Sequence, residues 1–285
     1  MSDTGRAGLP RAFFLPTPTG QRFCLFHPAQ GPRLQGSVLY LHPFAEELNT
    51  TRRVVARQAR ALAQAGFAVL QIDLLGCGDS EGEFADATWE AWLEDAHRAY
   101  DWLAEHAPGP VWLWGMRSGA LLATALAARL PRPAHLLLWQ PVINGQQMLQ
   151  QFLRLHAAGQ WLTDGNKDLG KDTTPAQALA SGASVDIAGY TLSPALAQGL
   201  SAARMLAPVP AMPAHLIWID TTTQPEPTLN PAASTHLDTW RKAGWSVNDQ
   251  AINSPAFWQT IGTDEAPALL AATLQALKGC GDPTA

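Results

Sequence analysis

Five short segments, GSVLYLH (36–42), FAVLQID (67–73), PVWLWG (110–115), AHLLLWQP (134–141) and AHLIWID (214–220), carry nearly continuous runs of apolar residues. A strand that is apolar at successive positions has to be covered on both faces, the condition of a parallel sheet enclosed between helices. The intervening stretches carry apolar residues at helical spacing, so strand and helix alternate along the chain. That rhythm predicts an α/β protein with a mostly parallel sheet and crossover helices on both faces.

The helical stretches have readable ends. Asn49 or Thr50 can cap the first, Val55, Ala59 and Leu62 form its apolar stripe, and Gly66 ends it. The next carries Trp89, Trp92, Leu93, Ala96, Tyr100 and Leu103 at helical spacing, a packing stripe rather than a ligand platform. A third begins at about Ser118 and runs through GALLATALAARL. AFFLPT and QRFCLFHP flank a PTG turn and predict an opening hairpin at the sheet edge.

Residues 143–207 break the alternation with helix, the polar TDGNKDLGKDTTP, then helix again. This predicts a helical cap insertion over the C-terminal edge of the sheet, with the core formed by 1–142 and 208–285. The core then closes with a helix from about Ala232 to Ala243, a last strand in SVNDQAIN and a helix in APALLAATLQALKG.

A formal net charge of −5 without a dense Lys/Arg block argues against a nucleic-acid or anionic-membrane footprint. Of the basic residues Arg52, Arg53, Arg57 and Arg60, the last three share one helical face, read as solvated or as a docking surface for an acidic partner. Cys24, Cys77 and Cys280 have neither CxxC nor metal-ligand spacing, so neither a metal nor another cofactor is expected. No signal-peptide pattern opens the chain and no apolar stretch is long enough to span a membrane; the expected location is cytoplasmic.

The order of elements resembles the α/β-hydrolase fold, in which nucleophile, acid and histidine follow one another on turns after the strands. VLYLHPF is similar to the oxyanion turn of that fold, and DLLGCGDSEG (73–82) resembles its D-x-x-G-x-G-x-S-x-G turn. At finer grain, LHPFAEELN, QIDLLGCGDS, WLWGMRSGALLA and PAFWQT resemble the hydrolases associated with the exosortase A system of Gram-negative bacteria. That resemblance implies a setting of exopolysaccharide production and protein sorting, with a protein of that system as a possible partner.

The turn WGMRSGALLA is the chemically decisive one. A nucleophile elbow, G-x-S-x-G, needs small residues two places either side of its centre because neighbouring backbone passes close there. Here Gly115 and Gly119 supply that frame, but the central residue is Arg117 and the serine is displaced to Ser118. A guanidinium has only donors and stays protonated, so Arg117 cannot attack a carbonyl. Moving the role to Ser118 rotates the reacting oxygen by about 100° around the helix start. Ser118 therefore reads as a cap or packing residue, or else as a displaced nucleophile.

By the same resemblance, Asp220 stands near the place of the family acid, or alternatively caps a turn through Thr221 to Thr223. Laying INSPAFW over the usual ending puts Phe257 where the imidazole is expected, and no histidine follows His236. His236 falls in a helix, His135 and His215 open strands, and His97 and His106 belong to the Trp-striped helix. His42 alone lies in a catalytic mouth, where it would shape the oxyanion loop.

The backbone N–H groups of Phe44 and Ser118 would still face the cleft beside Arg117, making a possible site for a small anionic or acyl ligand. Alternatively Arg117 closes an ion pair with Asp220 or Glu46. Two functions follow as expectations: hydrolysis of an ester, thioester or similar acyl bond with a degenerate triad, or non-catalytic binding of such a ligand or of a partner.

Overall fold

The computed structural model describes residues 8–163, 174–260 and 265–280, with the backbone alone for 156–163. Most of the polar TDGNKDLGKDTTP stretch therefore lies outside the described residues. Strands β1 (Arg11–Thr17) and β2 (Gly20–His27) form the opening hairpin, followed by β3 (Gly36–Leu41), α1 (Glu46–Gln64) and β4 (Phe67–Ile72). Then come α2 (Trp89–His106), β5 (Val111–Met116), α3 (Gly119–Ala127) and β6 (His135–Trp139). After an intervening segment, β9 (His215–Thr222), α7 (Pro231–Lys242), β10 (Ser246–Asn253) and α8 (Pro267–Gly279) complete the core.

The strands join in one sheet of order β1-β2-β4-β3-β5-β6-β9-β10. β1, β2 and β4 pair antiparallel, and the remainder is parallel from β4 through β10. The apolar runs are double-sided, as their composition requires. Leu39, Leu113, Leu138 and Trp218 face one core, and Val38, Trp114, Trp139 and Ile219 face the other. Residues from α2, α3 and α7 fill the first core, while those of α1 and α8 fill the second.

The segment between β6 and β9 contains α4 (Gly145–Thr163), α5 (Pro175–Ala180), α6 (Pro194–Ala202) and a hairpin of β7 (Val185–Ile187) and β8 (Tyr190–Leu192). Sequence periodicity had indicated helices alone; strands of three residues are too short to carry a period. Met148, Phe152, Leu196 and Leu200 dock the segment on the first core.

Some local expectations change. Helix α1 begins at Glu46, with Ala45 as its cap residue at φ 49°, so Asn49 and Thr50 lie inside the helix. Three of the four clustered arginines are engaged in ion pairs: Arg52 meets Asp73 at 3.1 Å, and Arg53 and Arg57 meet Glu265 at 3.0 and 2.8 Å. The Trp stripe is packing, with Trp92 buried and its Nε1 donating to the Leu75 carbonyl at 3.0 Å. Cys24, Cys77 and Cys280 are unpaired thiols. Among the described residues no helix is long and apolar enough to cross a membrane.

Candidate functional site

The strand-to-helix turn between β5 and α3 is only Arg117 and Ser118. Arg117 takes φ 54°, the left-handed region that costs a side-chain-bearing residue about 1–2 kcal/mol. Its backbone is held from both sides: its N–H donates to the Trp139 carbonyl at 3.0 Å, and its carbonyl accepts from Val142 and Ala120 at 3.1 Å each. The flanking glycines are required by contact. A Cβ on Gly119 would lie 2.2 Å from the Leu41 carbonyl oxygen, and one on Gly115 would lie 2.6 Å from Ala120 Cα.

At the apex of this sharp turn stands a guanidinium. Its Nε donates to the Glu47 carboxylate at 3.1 Å, its Nη2 lies 3.1 Å from the same oxygen, and Nη2 also reaches Gln151 Oε1 at 3.4 Å. The guanidinium carbon sits 5.4 Å from the centre of the Trp258 ring, within cation–π range. Both charged side chains are largely buried, with 13% of Arg117 and 9% of Glu47 exposed. The partner is thus Glu47, not Glu46 or Asp220. Burial raises the Glu47 carboxyl above the usual range, and the Arg117 charge and hydrogen bond pull it back down.

Ser118 is the N-cap residue of α3, with helical backbone angles and no capping hydrogen bond from its side chain, and it is buried. His42 is buried in the loop after β3. Its Nε2 accepts from the Leu74 N–H at 3.3 Å, so its proton resides on Nδ1, which donates to the Pro43 carbonyl at 2.8 Å. Burial lowers its pKa, leaving a neutral ring with both nitrogens bonded to backbone. The Phe44 ring packs edge-on against Phe84, Trp92 and Phe152, fastening the turn after β3 to α2 and α4.

Asp220 is two residues from the end of β9, and its carboxylate accepts from Trp218 Nε1 at 2.9 Å. Burial, with a contribution from Asp249, raises its pKa to about 6. Phe257 is buried in the core formed with α1 and α8 and stands edge-on to Trp258 at 5.5 Å. His135 and His215 adjoin each other at the N-terminal ends of β6 and β9, where the His215 N–H donates to His135 Nδ1 at 3.1 Å. On α2, His97 lies 3.9 Å from Asp101, and His106 bonds the Trp102 carbonyl. His236 is half-buried on α7, beside Trp218 and Trp240.

Above the Arg117–Glu47 pair lies a cavity of about 1040 Å³. The N-terminus of α1 supplies Glu46, Glu47 and Thr50 to its wall, and the loop after β10 supplies Trp258. The segment between β6 and β9 adds Met148, Gln151, Phe152 and Tyr190. Ser118, His42, Phe44 and Asp220 are not among its lining residues, and among the described residues no imidazole lines it. The sequence reading missed Glu47, Trp258 and Tyr190. The doubled glutamate in FAEELN, directly after the turn that follows β3, and the Trp next to Phe257 were the available signals.

A mostly parallel sheet, helices on both faces and a glycine-framed turn after β5 define the α/β-hydrolase scaffold. Residues 32–179 match the Hydrolase_4 family, described as serine aminopeptidase, S33, and the chain belongs to that family. An uncharacterized protein of Rickettsia prowazekii (strain Madrid E), RP471, is 34% identical over 109 residues, 38% of this chain and 44% of that protein. Lysophosphatidylserine lipase ABHD12 of Danio rerio is 32% identical over 112 residues, 38% of this chain and 28% of that one. These matches span less than half the length of each relative. Among solved structures, Est1E from Butyrivibrio proteoclasticus, bound to ferulic acid, is similar with a TM-score of 0.64 at 16% identity, covering 94% of this chain and 97% of that one.

Proposed function

We propose that this chain uses the α/β-hydrolase scaffold to bind a small ligand rather than to cleave it through a serine. One observation carries the reading: the elbow apex holds Arg117, clasped by Glu47 and covered by Trp258. A nucleophile needs a lone pair and a base beside it. Arg117 offers neither, and Ser118 belongs to the start of α3. The cavity above the clasp is large enough for a small molecule, and its apolar wall suits an acyl or other hydrocarbon body.

In this reading the segment 143–207 is the cap that furnishes the recognition wall, and Asp220 serves the packing of β9. The resemblance of several turns to exosortase A system-associated hydrolases directs the search for the ligand, or for a protein partner, to that system. Three unpaired cysteines support a reducing, cytoplasmic setting.

The test is direct. Purified protein is incubated with a fluorophosphonate probe and with a panel of acyl esters and thioesters, beside Ser118→Ala. Neither labelling nor turnover above the level of Ser118→Ala is expected. Turnover that disappears in Ser118→Ala would restore serine hydrolysis and overturn this reading.

A further inference from the structure

Among the described residues, those other than glycine with a positive φ gather at one cavity. They are Ala45 (49°), Arg117 (54°), Gln140 (40°) and Ala188 (50°), in a conformation that residues with a side chain rarely adopt. Arg117, Gln140 and Ala188 line the cavity above the elbow, and Ala45 directly precedes Glu46, which lines it too. Ala188 opens the tight turn between β7 and β8, and Arg117 forms the elbow. Strained backbone persists where the surroundings hold it, and it clusters at ligand sites.

At Gln140 the strain fixes a carboxamide. Its backbone N–H donates to the Ile219 carbonyl at 2.8 Å, and its side-chain oxygen accepts from the Thr221 N–H at 2.6 Å and the Thr221 hydroxyl at 3.1 Å. A backbone N–H only donates, so the oxygen has to face Thr221 and the NH2 group is the end left over. That Nε2 has no partner among the described residues and is not sealed from solvent. Gln151, exposed on the same wall, repeats the arrangement: its oxygen accepts from Arg117 Nη2 at 3.4 Å, and a guanidinium too can only donate. Both carboxamides belong beside the elbow, since the Arg117 N–H and carbonyl are bonded to Trp139 and Val142 on either side of Gln140.

The charges around them are already matched. Arg53 and Arg57 share Glu265, Arg117 holds Glu47, and Glu46 is the third carboxylate, so three arginines stand against three glutamates. An ionised head of either sign would give up water for a wall with no counter-charge to offer. Uncharged donors call instead for an uncharged acceptor, and Met148 and Phe152 add apolar surface for a hydrocarbon chain.

We propose that the cavity takes an uncharged head with a hydrogen-bond-accepting oxygen, of the carboxamide kind, on an apolar chain, with the NH2 groups of Gln140 and Gln151 as the donors that position it. This specificity rests on the reading of the cavity as a ligand site.

Isothermal titration calorimetry with octanamide, octanoate and octylammonium at pH 8, above the Glu46 midpoint, separates the head from its charge on a shared kind of tail. Octanamide is expected to bind about tenfold or more tightly than either ion, whose dehydration the matched wall does not offset. Gln140→Glu keeps an oxygen for Thr221 but replaces the donors with an acceptor, and Gln151→Glu does the same beside Arg117. Each should weaken octanamide binding by about tenfold, the worth of a lost hydrogen bond, while circular dichroism reports an unchanged fold. The inference is overturned if either ion binds as tightly as octanamide, if octanamide fails to bind the folded protein, or if both glutamate variants keep the parent's octanamide affinity. Tight binding of an ion would overturn this specificity and still leave the cavity a ligand site. Ser118-dependent turnover in the ester assay would instead sink the non-hydrolytic reading and leave the head preference to be judged by the calorimetry.

Discussion

Removing Arg117 should reveal how strongly the clasp at the elbow holds the fold together. Both partners are largely buried, so Arg117→Ala leaves the Glu47 carboxylate out of water without its counter-charge. Breaking one side of a buried pair costs about 3–5 kcal/mol. For a chain of this size each kcal/mol lowers Tm by roughly 2 °C, so a loss of roughly 6–10 °C is expected. Glu47→Ala should cost a similar amount, because it strands the guanidinium. The double variant should be less destabilised than the sum by about 3 kcal/mol, the part that belongs to the pair. Alanine keeps the left-handed backbone strain, whereas Arg117→Gly relieves it and should be more stable than Arg117→Ala by about 1 kcal/mol.

The loss also carries a pH signature. Without Arg117, burial alone governs the Glu47 carboxyl, and its folded-state pKa rises further above the unfolded value. Above the ordinary carboxyl pKa of about 4.3 the unfolded chain gives up its proton while the folded variant keeps it. Stability of the variant therefore falls as pH rises through that window, and the gap to the parent closes as pH drops towards it. Urea unfolding of the four proteins of the cycle at several pH values supplies the measurement. A coupling below about 0.5 kcal/mol, the worth of a solvent-exposed pair, would refute the claim that the clasp is buried and structurally committed.

Three further outcomes are expected. Gly119→Ala would push a Cβ to 2.2 Å from the Leu41 carbonyl oxygen; a destabilisation of at least about 3 kcal/mol is expected, and a variant melting like the parent would contradict the close approach. Burial pushes the Cys24 thiol up to about 12 and raises Cys77 as well; a disulfide-exchange reagent at mildly alkaline pH should leave both unmodified until denaturant is added, and rapid native-state modification of either would be inconsistent with that burial. Burial and the neighbouring Glu47 charge raise the Glu46 carboxyl to about 7, against the opposing effects of its own backbone N–H and Arg117. Side-chain carboxyl titration followed by NMR should therefore show one glutamate with a midpoint near neutrality that Glu46→Gln removes, and a midpoint in the ordinary carboxyl range would count against that burial.

Much of the scaffold could be read from residues in order. The double-sided strands follow from unbroken apolar runs, and β10 coincides with the SVNDQAIN segment. The β7–β8 hairpin escaped because strands of three residues leave no pattern long enough to read. The start of α1 was misjudged because Asn49 and Thr50 are good capping types, whereas the tight turn at Ala45 begins the helix earlier without any side-chain cap. At the site, the glycine frame and its central arginine were visible. The orientations of His42 and Asp220 were not, because residue type alone leaves open which neighbours satisfy a side chain. His42 is satisfied by backbone groups of two loops, and Asp220 by the indole two residues earlier on its own strand.

The division has a physical cause. Strand coverage, helix period and the need for glycine beside a sharp elbow are local requirements, so each is written within a few consecutive residues. WGMRSGALLA accordingly reports, without any coordinates, that an arginine is centred between two glycines in a sharp strand-to-helix turn. Which carboxylate holds that guanidinium is a matter of reach and direction between parts of the chain 70 residues apart. Glu46 and Glu47 are adjacent and chemically identical, yet helical geometry turns Glu47 onto Arg117 and leaves Glu46 on the cavity wall, where among the described residues no ion pair reaches it. Folding assigned one of them to the clasp and left the other on the cavity wall.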